Sequence, residues 1–467
     1  MFNIRQPAAV TGSFPLPPWA RAADFVAVAL ALAAVTIAAS GGVRAQVWDW
    51  HLNLTSPLRL LLWATAVMAV RHAIARRHPM YRHLAARATV WAQSIPLRTA
   101  LLVTIGTRPV IFAAGYLAVI MFGYAPGAEP FHDFESELMN LPLRWDAGWY
   151  LGIATRGYSY IASAGADAQQ NIVFFPAFPM LVRVVARLAG NGTAAYVIGG
   201  TLVSLAMFVV ALTYLYELAL EELTEDQAQT SVWLLAAFPF AIFFGAIYTE
   251  SLYLAGALGA FSHFRRREFV QAAAWALVVG LTRPNGFFLC LPLAILAMAQ
   301  PRDVRAWLAA AMPAVGVLIY SLFIWNMAGH PLAWALGHAA WGRHYGGLTQ
   351  LVVTRYGYIA SAGLLQYVSR EPYDLVNGLA VIFVVAAAWP VARRFGAAYS
   401  AFVLVGILPP LADGGLMSAG RFSSVLFPAF LWLASVVPPR HRAGWIAGFA
   451  AMQAFAAALF YTWRPLF

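Results

Sequence analysis

Thirteen apolar runs, most of them close to the length of a membrane-spanning helix, occupy the chain from end to end. They lie at 23–40, 58–70, 99–123, 195–216, 229–247, 250–264, 269–282, 285–300, 304–325, 375–392, 397–411, 422–437 and 443–462. A helix needs about 20 apolar residues to cross the hydrocarbon core of a bilayer, and the shorter runs can draw on neighbouring segments. A water-soluble fold is excluded by the amounts involved. Of 467 residues, 61% are hydrophobic and 10% charged, against about 45–50% and about 25% in ordinary soluble domains. Intrinsic disorder is excluded by the same figures, because it needs low hydrophobicity and high charge. The expected fold is an all-α polytopic integral membrane protein with about 13 transmembrane helices. The run 23–40 lacks a clear cleavage site and is soon followed by another span, so it reads as a helix and not as a removable signal.

Charge sets the orientation. All thirty basic residues are arginine, and they outnumber 19 acidic residues for a net charge of +11. A nucleic-acid partner would need a continuous basic patch. Here the arginines sit in short clusters between apolar runs, where they report topology, and no nucleic acid is expected. The segment 71–98 carries Arg71, Arg76, Arg77, Arg82, Arg87 and Arg98, which predicts a cytoplasmic location. The run 173–190 then decides the parity of everything after it. Taken as a span, it would put Arg265, Arg266 and Arg267 outside. Taken as a helix lying flat on the outer surface, with Pro176 and Pro179 near its start and Arg183 and Arg187 on a polar face, it leaves every later cluster inside. The second reading leaves the loops 124–194, 248–251, 282–286, 326–374 and 412–421 on the extracytoplasmic side. Exclusive use of arginine fits a GC-rich genome, and the expected location is a bacterial inner membrane.

Those loops hold the residues suited to chemistry. In RWDAGWYLGIATRGY at 144–158, Asp146 is flanked by Trp145, Trp149 and Tyr150. Aromatic faces stack on sugar rings while a carboxylate accepts hydrogen bonds from hydroxyls. Partial desolvation by the indoles would raise the pKa of such a carboxylate towards general-base duty. The plain alternative is an aspartate capping a short helix that starts near Ala147. YTES at 248–251 leaves Glu250 at a tight turn between two apolar runs, where an ionisable residue is costly and a functional candidate. TRPNG at 282–286 presents Arg283 and Asn285 at another turn, and SAGRFSSVLFP at 418–428 places Arg421 at the mouth of a span. Each arginine could simply snorkel to lipid headgroups. Two or three converging on one cavity would suit a phosphate. His330, His338 and His344 match no ligand spacing and read as surface or interfacial residues, and the single Cys290 permits no disulfide framework or cysteine-based metal site.

WDAGWYLGIATRGY at 145–158, followed by NIVFFPAFPMLVR at 171–183, resembles the opening signature of the GPI mannosyltransferase II (PIG-V type) family. YTES, the Arg283-Pro-Asn-Gly turn and the Arg421-Phe…Pro element resemble that family too, in order and over roughly residues 99–437. The resemblance implies a GT-C-type glycosyltransferase using a polyprenyl-phosphate-linked sugar, usually mannose, with inversion on the extracytoplasmic face. It assigns the catalytic base to Asp146. Glu250 would orient the acceptor or hold Asp146 and an arginine in place. Arg421, Arg283 or Arg144 would neutralise the lipid phosphate, and Trp145, Trp149, Tyr150, Tyr248 and Asn285 would bind sugar or acceptor. The acceptor is expected to be a lipid or glycan. No cofactor is required where arginine can neutralise a monophosphate, and a divalent cation stays open. The expected organisation is an N-terminal two-helix addition with its basic segment over 1–98, a catalytic membrane module over 99–325, and an outer loop with C-terminal helices over 326–467. The alternative is a lipid or sugar transporter or flippase, which would place ionisable residues near the midplane of repeated halves.

Overall fold

The computed structural model describes residues 18–40, 43–47, 50–54, 56–74, 93–165 and 168–466. Arg76, Arg77, Arg82 and Arg87 of the basic segment lie outside the described residues. Helices occupy every one of the apolar runs. Among the described residues, seven are long and apolar enough to cross a membrane unaided: Pro57–Ile74, Ile95–Phe122, Thr193–Leu220, Val304–Ala328, Pro372–Phe395, Ala397–Gly414 and Pro439–Tyr461. Three other runs fold as broken pairs. Glu225–Ala237 gives way to a 3-10 turn at Pro239–Phe244, Pro284–Leu289 precedes Cys290–Ala297, and Ala419–Ser424 precedes Phe427–Val436. One piece of each pair has a proline in its first turn, Pro239, Pro284 or Pro428, whose fixed φ suits a helix start and whose missing N–H cannot continue a preceding helix.

A break inside an apolar bundle leaves carbonyls without partners, and that is costly where no water reaches them. Two side chains from other helices supply the donors. Arg108, buried midway along Ile95–Phe122, donates to the carbonyls of Ala236 at 2.6 Å and Ala241 at 2.5 Å. Gln453 of Pro439–Tyr461 donates to those of Ala236 at 3.0 Å and Phe238 at 2.9 Å. The charge inside the apolar run 99–123 is therefore structural: it closes the gap at Phe238–Pro239.

The chain divides into two units, Met1–Gln93 and Ser94–Phe467. In the first, Pro18–Ser40 packs on Pro57–Ile74. Buried Arg71 pairs with Asp24 across them at 2.7 Å. Among the described residues, their connection holds the one departure from the all-helical expectation: Val43–Val47 pairs antiparallel with Trp50–Leu54. VRAQV and WHLNL both alternate apolar and polar residues, the period of a strand and not of a helix.

In the second unit, polar residues gather at opposite ends of the helices. At one end Arg265 pairs with Glu221 at 2.8 Å and Glu222 at 2.7 Å, Arg266 with Glu217 at 3.0 Å, and Arg442 with Asp226. Glu250–Arg265 runs from the other end to this cluster, and Phe269–Thr282 returns. The segment 173–190 folds as the helix Ala177–Leu188. Twelve residues rise about 18 Å, too little for a hydrocarbon core of about 30 Å. It packs Phe178, Val182 and Ala186 inward, as a surface-lying helix should. Arg183 departs from the expected polar face: its guanidinium donates to the carbonyls of Ala154 at 2.6 Å and Ile153 at 3.0 Å, satisfying the C-terminal turn of Ala147–Arg156.

Candidate active site

All five loops expected on one side contribute to a single cavity of about 1080 Å³. Asp146, Arg283, Asn285 and Arg421 line it together with Trp145, Trp149 and Tyr150.

The placement of Asp146 begins with its neighbour. Trp145 takes φ 52°, a left-handed conformation that is strained for a bulky residue. Its indole Nε1 donates to the Phe460 carbonyl at 3.1 Å, and its ring packs on Trp463 with centroids 4.8 Å apart. The Tyr248 hydroxyl accepts from the Asp146 N–H at 3.0 Å and holds the far side of the turn. Asp146 then stands at the N-cap of Ala147–Arg156 with helical backbone angles, φ −62° and ψ −14°, and its side chain makes no capping bond. A capping aspartate needs extended angles to reach back to the first turn, so the capping alternative does not describe this residue. The carboxylate points instead to Arg421, with Oδ2 accepting from Nη1 at 2.9 Å.

Arg421 is delivered by a second left-handed residue, Ser418 at φ 60°, which opens the short helix Ala419–Ser424. Asn377 secures that helix by accepting from the Gly420 N–H at 2.8 Å while donating to the Leu466 carbonyl at 3.1 Å. The Arg421 guanidinium lies over the Tyr248 ring at 4.5 Å and bonds Glu250 through Nε. Glu250 is not a solvated hairpin tip: it is fully buried at the start of Glu250–Arg265. Its Oε1 also accepts from Arg283 Nη2 at 2.9 Å, and Thr249 Oγ1 accepts from the same nitrogen at 2.9 Å. Arg283 rests on the Tyr253 ring at 4.6 Å. The result is a continuous chain, Asp146–Arg421–Glu250–Arg283, with two negative and two positive charges. A balanced, hydrogen-bonded network is how a low-dielectric site can keep ionised groups.

The remaining expected site residues divide. Trp149 stacks on Phe174 with centroids 5.7 Å apart and meets Trp341 edge-on at 5.6 Å, forming an aromatic wall. Tyr150 is buried beside the charged chain, and burial above all pushes its phenol up to about 12, keeping it a neutral donor. Asn285 lines the cavity from the turn after Arg283. Tyr248 stands behind the wall as a positioning group and does not line the cavity. Arg144 does not reach the cavity either. It is fully buried, pairs with Glu137 at 2.9 Å, and donates to the carbonyls of Tyr461 at 2.9 Å and Asn140 at 2.7 Å. The turn at Trp145 sends residues 144 and 146 in different directions, which removes Arg144 from the expected phosphate contacts.

Several lining residues carry no signature in the sequence. Trp341, Arg343 and His338 come from the loop expected at 326–374, and Asp413 from that at 412–421. His338, expected as a surface or interfacial residue, is half-buried at the cavity. Burial lowers its pKa, and its Nδ1 sits 2.9 Å from the Trp334 carbonyl, which can only accept. The ring is then neutral with Nδ1–H donating, leaving Nε2 as an acceptor. Among the described residues no group of three or more histidine, cysteine or acidic side chains converges as a metal site.

Residues 128–290 match the family model described as Mannosyltransferase (PIG-V). The matched span includes the Trp-Asp motif, the Phe-Phe-Pro segment, YTES and the Arg-Pro-Asn-Gly turn, so it bears out the resemblance read from them. No curated protein and no solved structure matches the chain. The match, together with seven helices long and apolar enough to cross a bilayer, supports an integral membrane protein with mannosyltransferase activity.

Proposed function

We propose that this membrane mannosyltransferase takes its sugar from a polyprenyl-phosphate donor and passes it, with inversion, to a hydroxyl of a lipid or glycan acceptor on the extracytoplasmic face. The observation that carries the reading is Asp146: an uncapped carboxylate at the edge of a large aromatic cavity, aimed by Arg421. The acceptor oxygen attacks the anomeric carbon and forms the new glycosidic bond. The bond from that carbon to the phosphate oxygen breaks on the opposite face, its electrons staying on the phosphate. The acceptor proton passes to Asp146. General-base assistance of this kind is worth about 10²–10⁴-fold.

Glu250 holds two guanidiniums in fixed positions, so its part is to position Arg421 and through it Asp146. The Trp149–Phe174–Trp341 wall offers faces on which a sugar ring can stack. Phe287, Phe288, Val317, Pro409 and Pro410 give the cavity an apolar flank built from helices, suited to the first isoprene units. Membrane embedding follows from that donor, since the leaving group stays in the bilayer. In this reading a monophosphate neutralised by arginine needs no divalent ion. A transporter is disfavoured by the position of the acids, at helix ends and not midway along them. The test is transfer of labelled mannose from polyprenyl-phosphate mannose to candidate lipid acceptors by the purified full chain. Transfer by wild type and not by Asp146→Asn is expected; full transfer by the variant would overturn the assignment of the base.

A further inference from the structure

The donor of the proposed reaction carries a phosphodiester with one negative charge, and the cavity must neutralise it. The two cavity-lining arginines that the sequence motifs offer are each tied to carboxylates, which leaves Arg421 chiefly Nη2 for a ligand. Arg421 gives Nε to Glu250 and Nη1 to Asp146, and Arg283 gives Nη2 to Glu250 and Thr249. Arg283 keeps Nε and Nη1 unpartnered among the described residues, but both atoms are enclosed by protein, with the guanidinium face on Tyr253. Arg156 reaches the cavity from an exposed position, where water neutralises its charge at little gain to a ligand.

Arg343 differs from all of these. It follows the 3-10 turn Gly337–Trp341 and a left-handed Gly342 at φ 71°, which turn its half-buried side chain into the cavity. Its guanidinium lies over the Phe422 ring at 5.5 Å and makes no hydrogen bond or ion pair with any described residue. Asp413 lines the same cavity and acts on it electrostatically, beyond ion-pair distance. Asp146 and Arg421 also lie within its electrostatic reach, so an anion held there stands close to the base. A half-buried guanidinium on a cavity wall with no hydrogen-bonded acid is poorly solvated, and an oxyanion is the ligand that corrects this.

We propose that Arg343 receives the anionic headgroup of the lipid-linked donor, while Arg421 and Arg283 organise the carboxylates. The assignment rests on the polyprenyl-phosphate reading above, and it is tested without any sugar. Binding of a short-chain prenyl phosphate to the detergent-purified full chain is measured by calorimetry, with the matching prenyl alcohol and inorganic phosphate as comparisons. Loss of one charge-assisted contact should weaken prenyl phosphate about 10- to 100-fold in Arg343→Gln, with the alcohol unaffected. Arg343→Lys should retain most of the affinity. Gly414→Ala places a methyl against the Arg343 guanidinium and should weaken binding without removing the charge. Asp413→Asn removes a competing carboxylate and should tighten it. Unchanged binding in Arg343→Gln, wild-type affinity for the alcohol equal to that for the phosphate, or displacement by equimolar inorganic phosphate would each overturn the assignment. A wild type that binds through Arg343 but transfers no mannose would overturn the proposed reaction alone. Transfer by Arg343→Gln with an unaltered donor KM would overturn only the role of Arg343.

Discussion

Glu250→Gln should be the most destabilising single neutralisation in the charged chain behind the cavity. The carboxylate is fully buried and accepts from two guanidiniums. Removing one partner of a buried ion pair leaves an uncompensated charge and costs about 3–5 kcal/mol. Arg283 would keep only neutral acceptors, Thr249 Oγ1 and the glutamine amide oxygen, and no anionic partner, whereas Arg421 would still hold the Asp146 carboxylate. Asp146→Asn makes a sharp contrast. Its side chain is 22% exposed, its amide oxygen can still accept, and Arg421 keeps Glu250, so the loss should be about 1 kcal/mol. Thermal unfolding of the detergent-purified variants, followed by tryptophan fluorescence, should rank wild type above Asp146→Asn and both well above Glu250→Gln. Arg283→Gln added to Glu250→Gln should recover part of the loss, because the two residues share one interaction. A Glu250→Gln midpoint within about 1 °C of wild type, or no recovery in the double variant, would refute the claim that the four charges form one balanced chain.

Further consequences follow from other parts of the molecule. His338 has a depressed pKa in the folded protein against an ordinary 6.5, so the unfolded chain binds more protons between those values. Wild-type stability should then fall as pH drops below about 6.5, and His338→Phe should lose that dependence in melting curves from pH 7.5 to 5.5. Arg108→Met removes donors from two carbonyls at the Phe238–Pro239 break and should cost about 2–3 kcal/mol, seen as reduced melting temperature and yield. A cysteine replacing Arg266, with Cys290 changed to serine, should resist an impermeant thiol reagent in intact cells; labelling there would reverse the orientation.

What was legible in the sequence follows the range of the interactions involved. Apolar runs are local, and each became helical. Asp146, Glu250, Arg283 and Arg421 sit in compact motifs at run ends, and the fold joins them into one chain. Arg144 was misplaced because adjacency in sequence says nothing about a left-handed turn at Trp145 that separates it from Asp146. The strand pair at 43–54 was missed because its alternation is short and lies between two strong helical signals. Arg343, Trp341, His338 and Asp413 were not singled out as site residues because no local pattern marks them; only the convergence of distant loops does. Arg108 carries no local signal inside the apolar run 99–123; its role rests on partners 128 and 133 positions away.

The most direct test of the central claim is mannose transfer by Asp146→Asn set beside its stability. With Asp146 as the proposed base, aimed by Arg421, transfer from polyprenyl-phosphate mannose should fall by about 10²-fold or more, with the melting temperature close to that of wild type. Transfer at the wild-type rate would contradict the account, and so would a folding loss large enough to explain the missing activity.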